Sequence, residues 1–164
     1  MQSMQVRSAS PEDSEAIARI YNEEVLGSTV TLDLVPRTVA EQRAWITSHA
    51  GAHPAIVAIE RGCIAGFAAL SPYRQRPAYS TTVEDSVYVS SDQRGQGVGR
   101  ALLERLMDLG VAHGFHAAIA RCSSENTASV ALHRSCGFMV VGIEREIGRK
   151  FGKWVDIVVM ERML

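Results

Sequence analysis

Arg94-Gly95-Gln96-Gly97-Val98-Gly99-Arg100 stands between an alternating segment, Val83 to Ser90, and an apolar-periodic one, Ala101 to Val111. The first reads as a strand and the second as a helix. Glycine at every second position lets the connecting backbone turn tightly and approach a ligand with no Cβ in the way. The helix that follows adds unpaired N–H groups and the positive end of its dipole, so the junction suits a phosphate or pyrophosphate. A glycine-rich turn can also be bare punctuation. Three glycines between flanking arginines favour the anion cradle.

Two familiar phosphate loops do not fit. The Walker pattern needs Lys and then Ser or Thr after its last glycine, and here Gly99 is followed by Arg100-Ala101. The dinucleotide fingerprint needs a different glycine spacing, a place after the first strand of a βαβ unit, and an acid about twenty residues on. Ile119 to Cys122 offers no such acid.

Outward from the loop, the elements order themselves by pattern. Gln5 to Ser8 is a short opening strand. Ser10-Pro11-Glu12-Asp13 starts a helix, with Ile17, Ile20, Tyr21 and Leu26 as its buried stripe. Thr38-Val39-Ala40-Glu41 is a capping box for a second helix through Trp45. Ala55 to Glu60 and Cys63 to Ser71 form a hairpin about Arg61-Gly62. The helix Ala101 to His113 turns Leu102, Leu103, Leu106 and Met107 inward. His116 to Arg121 is a strand, and Asn126 to Cys136 a helix capped by Asn126 and stopped by Gly137. Phe138 to Ile147 and Trp154 to Met163 close the chain as strands. The order β-α-α-β-β-β-α-β-α-β-β describes a mixed α/β sheet layered with helices.

Composition bounds the rest. The chain has 164 residues, 46% apolar and 21% charged, with net charge -1. That is the profile of one ordinary globular domain, residues 1–164, with no basic field for nucleic acid or an anionic membrane. No run is long enough to span a membrane, and Met1-Gln2-Ser3-Met4-Gln5 carries no secretory core. Cys63, Cys122 and Cys136 are widely spaced, and His113 and His116 lack a cysteine pair to complete a zinc pattern. A cytoplasmic protein with reduced thiols and no metal is expected.

The element order with the R-G-x-G-x-G loop resembles the GCN5-related N-acetyltransferase (GNAT) superfamily. Arg94, Gly97 and Gly99 match its Q/R-x-x-G-x-G/A pattern, and Asn126, Ser129 and His133-Arg134-Ser135-Cys136-Gly137-Phe138 are similar to its later coenzyme-contacting helix. Within it, nearly the whole chain resembles the phosphinothricin and methionine sulfoximine acetyltransferases. The segments that carry this are Ile20-Tyr21-Asn22, Ser28-Thr29, Pro36-Arg37-Thr38 and Arg76-Pro77-Ala78-Tyr79. Thr82 to Val89 and Gly148 to Asp156 follow, and their Glu-x-Ser-Val-Tyr-Val and Lys-Phe-Gly-Lys-Trp-x-Asp strings are the more diagnostic.

The resemblance implies a GNAT fold, a mostly antiparallel mixed sheet flanked by helices and splayed at the acetyl-CoA site. It implies an acetyl-CoA-dependent N-acetyltransferase of a small amino acid or analogue, a small-molecule amine as partner, and a homodimer. Residues 94 to 100 (Arg94, Gly95, Gln96, Gly97, Val98, Gly99 and Arg100) then hold the pyrophosphate. Val87, Tyr88 and Val89 offer backbone groups to the pantetheine arm and the thioester oxygen, where a bulge is expected to splay the strand. Tyr88 is equally well read as simple core. Asn126 is either a helix cap or a pantetheine contact, and Ser129 a weaker contact.

Transfer to an amine calls for a base, and Glu84 is the candidate: it starts the strand leading into the cradle, and the resemblance puts the catalytic glutamate there. Alternation turns Asp85 to the other face. His133 occupies the position of the tyrosine that protonates the thiolate in many superfamily members, so that role is not carried over. Arg74 and Arg76 could clamp an acceptor carboxylate, with the resemblance favouring Arg76. Tyr79 and Phe151 wall the acceptor pocket, while Lys150, Trp154 and Asp156 order its rim; Phe151 and Trp154 are alternatively dimer-interface residues. With no cysteine near the thioester site in sequence, direct transfer without an acyl-enzyme is expected. The rival readings are a protein N-terminal or lysine acetyltransferase and a non-catalytic coenzyme A sensor.

Overall fold

The computed structural model describes residues 4–164, so Met1 to Ser3 of the N-terminal reading lie outside the described residues. Strand β1 (Gln5–Ser8) leads through a helical turn at Pro11–Asp13 into α1 (Ser14–Gly27). The Ser10 N–H donates to Asp13 Oδ2 at 2.8 Å, which fixes the helix start where Pro11 had marked it. The buried face of α1 carries Ile17, Ile20, Tyr21 and Val25. Leu26 is not part of it: at 65% exposure it sits on the solvent side, since the true stripe steps from Tyr21 by four residues to Val25.

Helix α2 (Val39–Ser48) opens on the expected capping box, with the Glu41 N–H donating to Thr38 Oγ1 at 3.1 Å and the Thr38 N–H to Glu41 at 2.7 Å. The remaining elements are β2 (Ala55–Glu60), β3 (Cys63–Pro72), β4 (Thr82–Val89), α3 (Val98–Ala112), β5 (Ala117–Ser123), α4 (Thr127–Ser135), β6 (Met139–Lys150) and β7 (Lys153–Met163). No helix among the described residues is long and apolar enough to cross a membrane.

The seven strands pair in the order β1-β2-β3-β4-β5-β7-β6. All neighbours are antiparallel except β4 and β5. One face is covered by α3, whose Leu102, Leu103, Leu106 and Met107 pack with Ile56, Leu70, Val83, Phe138 and Met160. Each such buried side chain contributes about 1.5–3 kcal/mol over leaving it in water. The other face carries α1 and α2, where Ile17, Ile20, Tyr21 and Ile46 meet Val57 and Phe67.

The parallel pair decides where a site can form. It holds only for Thr82–Ala117, Val83–Ala118 and Glu84–Ile119. Beyond that point β4 continues beside β3 to Val89, while β5 continues beside β7 to Ser123, so the sheet opens into a gap. The β3–β4 register runs unbroken from Gly66–Val89 to Pro72–Val83, so the splay needs no bulge in β4. A register shift lies instead in β6, between Glu144 and Gly148, where the Glu146 N–H donates to Asp156 Oδ1 at 2.7 Å.

Candidate active site

The turn from β4 to α3 forms the upper end of a cleft of about 380 Å³. Gly95 and Gly97 take φ of +72° and +86°, a backbone region that side-chain-bearing residues enter at a cost. Gly97 is the N-cap of α3, and the first internal bond of the helix runs from Ala101 N–H to Gly97 carbonyl. The N–H groups of Val98, Gly99 and Arg100 precede that bond and have no helical partner. Loop and helix dipole together make the anion cradle that the glycine spacing predicts.

Below the cradle the cleft runs into the gap between β4 and β5. Ser90 N–H bonds Ala65 carbonyl at 2.8 Å, so it faces β3. The period of two along a strand then turns the N–H and carbonyl groups of Val87 and Val89 into the gap. Tyr88 lines the cleft, yet its ring belongs to the opposite face, stacked on Phe67 at 5.1 Å and edge-on to Tyr21 at 5.2 Å. Burial pushes its phenol far above the usual range. Across the gap, the Asn126 side-chain oxygen accepts from Ser129 N–H at 3.2 Å, which caps α4. The oxygen does the capping and the amide nitrogen is left for a ligand, so the two readings of Asn126 are compatible.

Glu84 is the last position of β4 paired with β5 and lines a smaller cavity that adjoins the cleft, sharing Val87, Asn126 and Ser129 with it. Its side chain is 33% exposed, 3.9 Å from Arg121 Nε. Burial pushes its carboxyl above the usual carboxylate range; Arg121 and, further off, Arg74 pull it back, while Asp85 and Glu144 push upward. Arg121 is itself ion-paired to Glu144 of β6. Sequence reasoning assigned Arg121 no role. Its pairing with Glu84 follows from the β4–β5 register, which no local pattern reveals.

Asp85 turns to the opposite face, as alternation requires, and is buried there against α4. Its Oδ2 lies 2.8 Å from His133 Nε2. His133 Nδ1 lies 2.8 Å from the Ser129 carbonyl, which can only accept, so Nδ1 carries a hydrogen, and the neighbouring Asp85 favours the charged ring. Burial opposes that charge, but the Asp85 charge and hydrogen bond prevail, and the pKa is pushed up to about 11. Cys122 completes this wall, its sulfur 3.8 Å from His133 Nδ1 and 3.4 Å from Ser129 Oγ. Sequence distance had kept every cysteine away from the site; the fold brings Cys122 to it.

Among the residues expected at the cradle, Arg94, Gly95, Gly97, Val98, Gly99 and Arg100 line the cleft. Gln96 is not among its lining residues, and its amide donates to the Asp92 carbonyl at 3.3 Å. Arg94 is held by Glu24 of α1, and its Nε reaches the Val89 carbonyl at 3.4 Å. Arg100 pairs with Glu104 one turn on at 2.7 Å. Arg74, Arg76 and Tyr79 lie in the exposed β3–β4 connection and do not line the cleft. Phe151, in the β6–β7 turn, lines an adjoining hollow with Val30, Asn126 and Lys153. Lys150 is buried rather than at a rim, donating to the carbonyls of Thr31 at 2.8 Å and Glu24 at 3.3 Å. Trp154 is exposed beneath the Arg149 guanidinium at 4.7 Å.

The α1–α2 connection straps across this region, and Val30 lines both the cleft and the adjoining cavity. Asn22 fastens it through paired bonds with the Arg37 backbone at 2.8 and 2.9 Å. Tyr21 hydroxyl meets Thr31 at 3.1 Å and donates to Asp33, and the Arg37 guanidinium lies 4.1 Å over the Tyr21 ring.

A glycine cradle at a helix N-terminus, opening beside a gap between parting parallel strands, matches the acyltransferase fold that the sequence resemblance implies. The family model described as Acetyltransferase (GNAT) family matches residues 14–138, and the chain belongs to that family. It is 39% identical to the phosphinothricin N-acetyltransferase of Streptomyces coelicolor, over 98% of this chain and 96% of that one. It is 37% identical to the L-methionine sulfoximine/L-methionine sulfone acetyltransferase of Pseudomonas aeruginosa, over 97% and 94%. The crystal structure of a phosphinothricin acetyltransferase from Sinorhizobium meliloti in complex with acetyl-CoA superposes with a TM-score of 0.95 at 37% identity, covering 99% and 89%.

Proposed function

We propose that the protein transfers the acetyl group of acetyl-CoA directly to the amino group of a small amino acid or analogue of the methionine sulfoximine, methionine sulfone or phosphinothricin kind. The observation that carries the reading is a pair of adjoining cavities that share Val30, Val87, Tyr88, Asn126 and Ser129, one opening at the α3 N-terminus and the other on the half-buried carboxylate of Glu84. The relatives named above supply the acceptor class. The whole chain acts as one catalytic domain, in the cytoplasm, as a homodimer.

The geometry supports a stepwise chemistry. The cradle N–H groups bind the pyrophosphate, and the pantetheine arm descends the gap with Asn126 and Ser129 on one side. Val87 N–H donates to the thioester oxygen and stabilises its charge as the carbonyl becomes tetrahedral. Glu84 takes a proton from the acceptor ammonium, freeing the nitrogen lone pair. The N–C bond forms, the C–S bond breaks, and coenzyme A leaves as a thiolate that takes the second proton given up by the nitrogen as it becomes an amide. Arg121, next to Glu84 in the cavity wall, offers a guanidinium to the acceptor carboxylate, and Arg74 and Arg76 of the exposed β3–β4 connection are the further candidates.

The test is thiol release from acetyl-CoA over a panel of free amino acids, methionine sulfoximine, phosphinothricin and peptides. Turnover on a free amino acid or analogue is expected. Turnover restricted to peptides would move the protein to the N-terminal or lysine acetyltransferases. Tight acetyl-CoA binding with no turnover would make it a sensor.

A further inference from the structure

Strand β4 divides its side chains between the two faces of the sheet. Val87 and Val89 pack with the cluster under α3, and Asp85 meets α4, whereas Tyr88 packs with the cluster under α1. A period of two therefore sets Ser86 with Glu84 and Tyr88 on the α1 face. Ser86 is half-buried, lines the same cavity as Glu84 and Arg121, and directly precedes the Val87 N–H. Ser129, the other serine of that cavity, has its Oγ 3.4 Å from Cys122 Sγ and 3.3 Å from His133 Nδ1, on the opposite face.

Register fixes what stands across from Ser86. Glu84 pairs with Ile119, so two residues further along each parallel strand Ser86 is level with Arg121. Glu144 is level with Ile157 of β7, and Ile157 with Ser123 of β5, two residues beyond Arg121. The Arg121 guanidinium reaches Glu84 on one side and Glu144 on the other, so it lies opposite Ser86. The Glu84 carboxylate, 3.9 Å from that guanidinium, leans along the strand toward Ser86.

A strand rises about 3.3 Å per residue, which puts Ser86 about 7 Å and Val87 about 10 Å along from Glu84. On the acetyl-CoA reading above, the thioester oxygen lies at the Val87 N–H and the acceptor nitrogen lies against the same carbonyl. Direct proton transfer needs heavy atoms about 2.6–3.2 Å apart. The Ser86 hydroxyl stands inside the span between that nitrogen and Glu84, and a hydroxyl accepts one hydrogen bond while donating another.

We propose that Ser86 is a catalytic residue that relays the proton from the acceptor nitrogen to Glu84, an inference that rests on the acetyl-CoA reading and on Glu84 as its base. Ser86 Oγ takes a proton from the ammonium as its own hydroxyl proton passes to the Glu84 carboxylate. One N–H and one O–H bond break, two O–H bonds form, and the serine ends as it began. The freed nitrogen lone pair then attacks the thioester, so Ser86 is never acylated.

The test compares wild type, Ser86→Ala, Glu84→Gln and the double variant by thiol release from acetyl-CoA, with the fastest free amino acid or analogue of the panel above. In Ser86→Ala, kcat should fall about tenfold, less than in Glu84→Gln because a water can take the vacated place. Acetyl-CoA affinity by calorimetry should change little in any variant. Two residues on one proton path act as a unit, so the double variant should be no slower than Glu84→Gln alone. The Ser86→Ala defect should also fade as pH rises through the pKa of the acceptor ammonium, where the nitrogen arrives neutral. Unchanged kcat in Ser86→Ala, single effects that multiply in the double variant, or a defect constant with pH overturns the relay. Those results beside a slow Glu84→Gln sink the relay alone. An unimpaired Glu84→Gln, or a wild type that turns over no free amine, sinks the underlying reading and the relay with it.

Discussion

Arg121 Nε lies 3.9 Å from Glu84 Oε1, across the point where β4 parts from β5. The contact works against the desolvation that raises the Glu84 carboxyl. A base is competent when deprotonated, so kcat/KM falls as pH drops through its pKa. Arg121→Ala removes the opposing charge and should move the acid limb of the kcat/KM profile to higher pH. It should also raise KM for carboxylate-bearing acceptors more than for simple amines. A limb that stays in place, measured by thiol release across pH, would separate Arg121 from the base.

Glu84→Gln keeps the shape of the side chain and removes its basicity. General-base contributions of about 10²–10⁴-fold set the expected fall in kcat. Glu84 lies in the adjoining cavity rather than at the cradle, so acetyl-CoA affinity measured by calorimetry should change little. Unaltered kcat would remove Glu84 from the base role.

Gly97 caps α3 at φ +86°, and a Cβ built there meets no atom within 4 Å. The cost of Gly97→Ala is therefore conformational rather than steric, about 1–2 kcal/mol for a left-handed L-residue. An empty loop can relax away from that conformation and a filled cradle cannot, so the cost falls on ligand binding. Acetyl-CoA should bind about tenfold more weakly, with the melting temperature of the unliganded protein little changed. The reverse pattern would make Gly97 a folding residue.

The Asp85–His133 pair gives stability a pH dependence of known sign. The folded pKa of His133, about 11, is far above the unfolded value of about 6.5. The stabilisation is complete below the unfolded value and is lost as pH rises through the folded one. Denaturant unfolding should show a decline from about pH 7 upward, read below pH 9.5 so that the tyrosines stay silent. Asp85→Asn should flatten that slope, and Asp85→Ala should cost about 3–5 kcal/mol at pH 7, as breaking a buried pair does. An equal slope in Asp85→Asn would assign the decline to other groups.

Much of this fold is legible because its signals are local. Gly95 and Gly97 announce the turn, Thr38 and Glu41 the capping box, and the apolar spacing around Leu102, Leu106 and Met107 the helix that roofs the sheet. What stayed hidden depends on register between distant segments. Arg121 reaches Glu84 only because Ile119 pairs with Glu84, and His133 finds Asp85 across 48 residues. Lys150 reads as a rim residue of the acceptor pocket until α1 and the α1–α2 connection close over it and supply the Glu24 and Thr31 carbonyls. The expected bulge was misplaced for a similar reason: parting of a short parallel pair opens the sheet, and strand patterns do not encode where pairing ends.

Strand β6 is one of the two edges of the sheet, and Met139, Val141, Ile143 and Ile147 along it are exposed, with Phe151 and Trp154 in or beside the turn that follows. An unpaired edge carrying a row of apolar side chains invites another chain. The homodimer reading commits that partner to a second copy, which buries both apolar edges at once in a self-complementary contact. Sedimentation velocity at micromolar concentration should show a dimer. The Val141→Lys/Ile143→Glu double variant should shift it to monomer without altering the circular dichroism of the fold. Because Phe151 and Lys153 line the hollow beside the cleft, the monomeric variant should also lose acceptor affinity while keeping its affinity for acetyl-CoA. A wild-type monomer, or a double variant that still dimerises, would place the contact elsewhere or remove it.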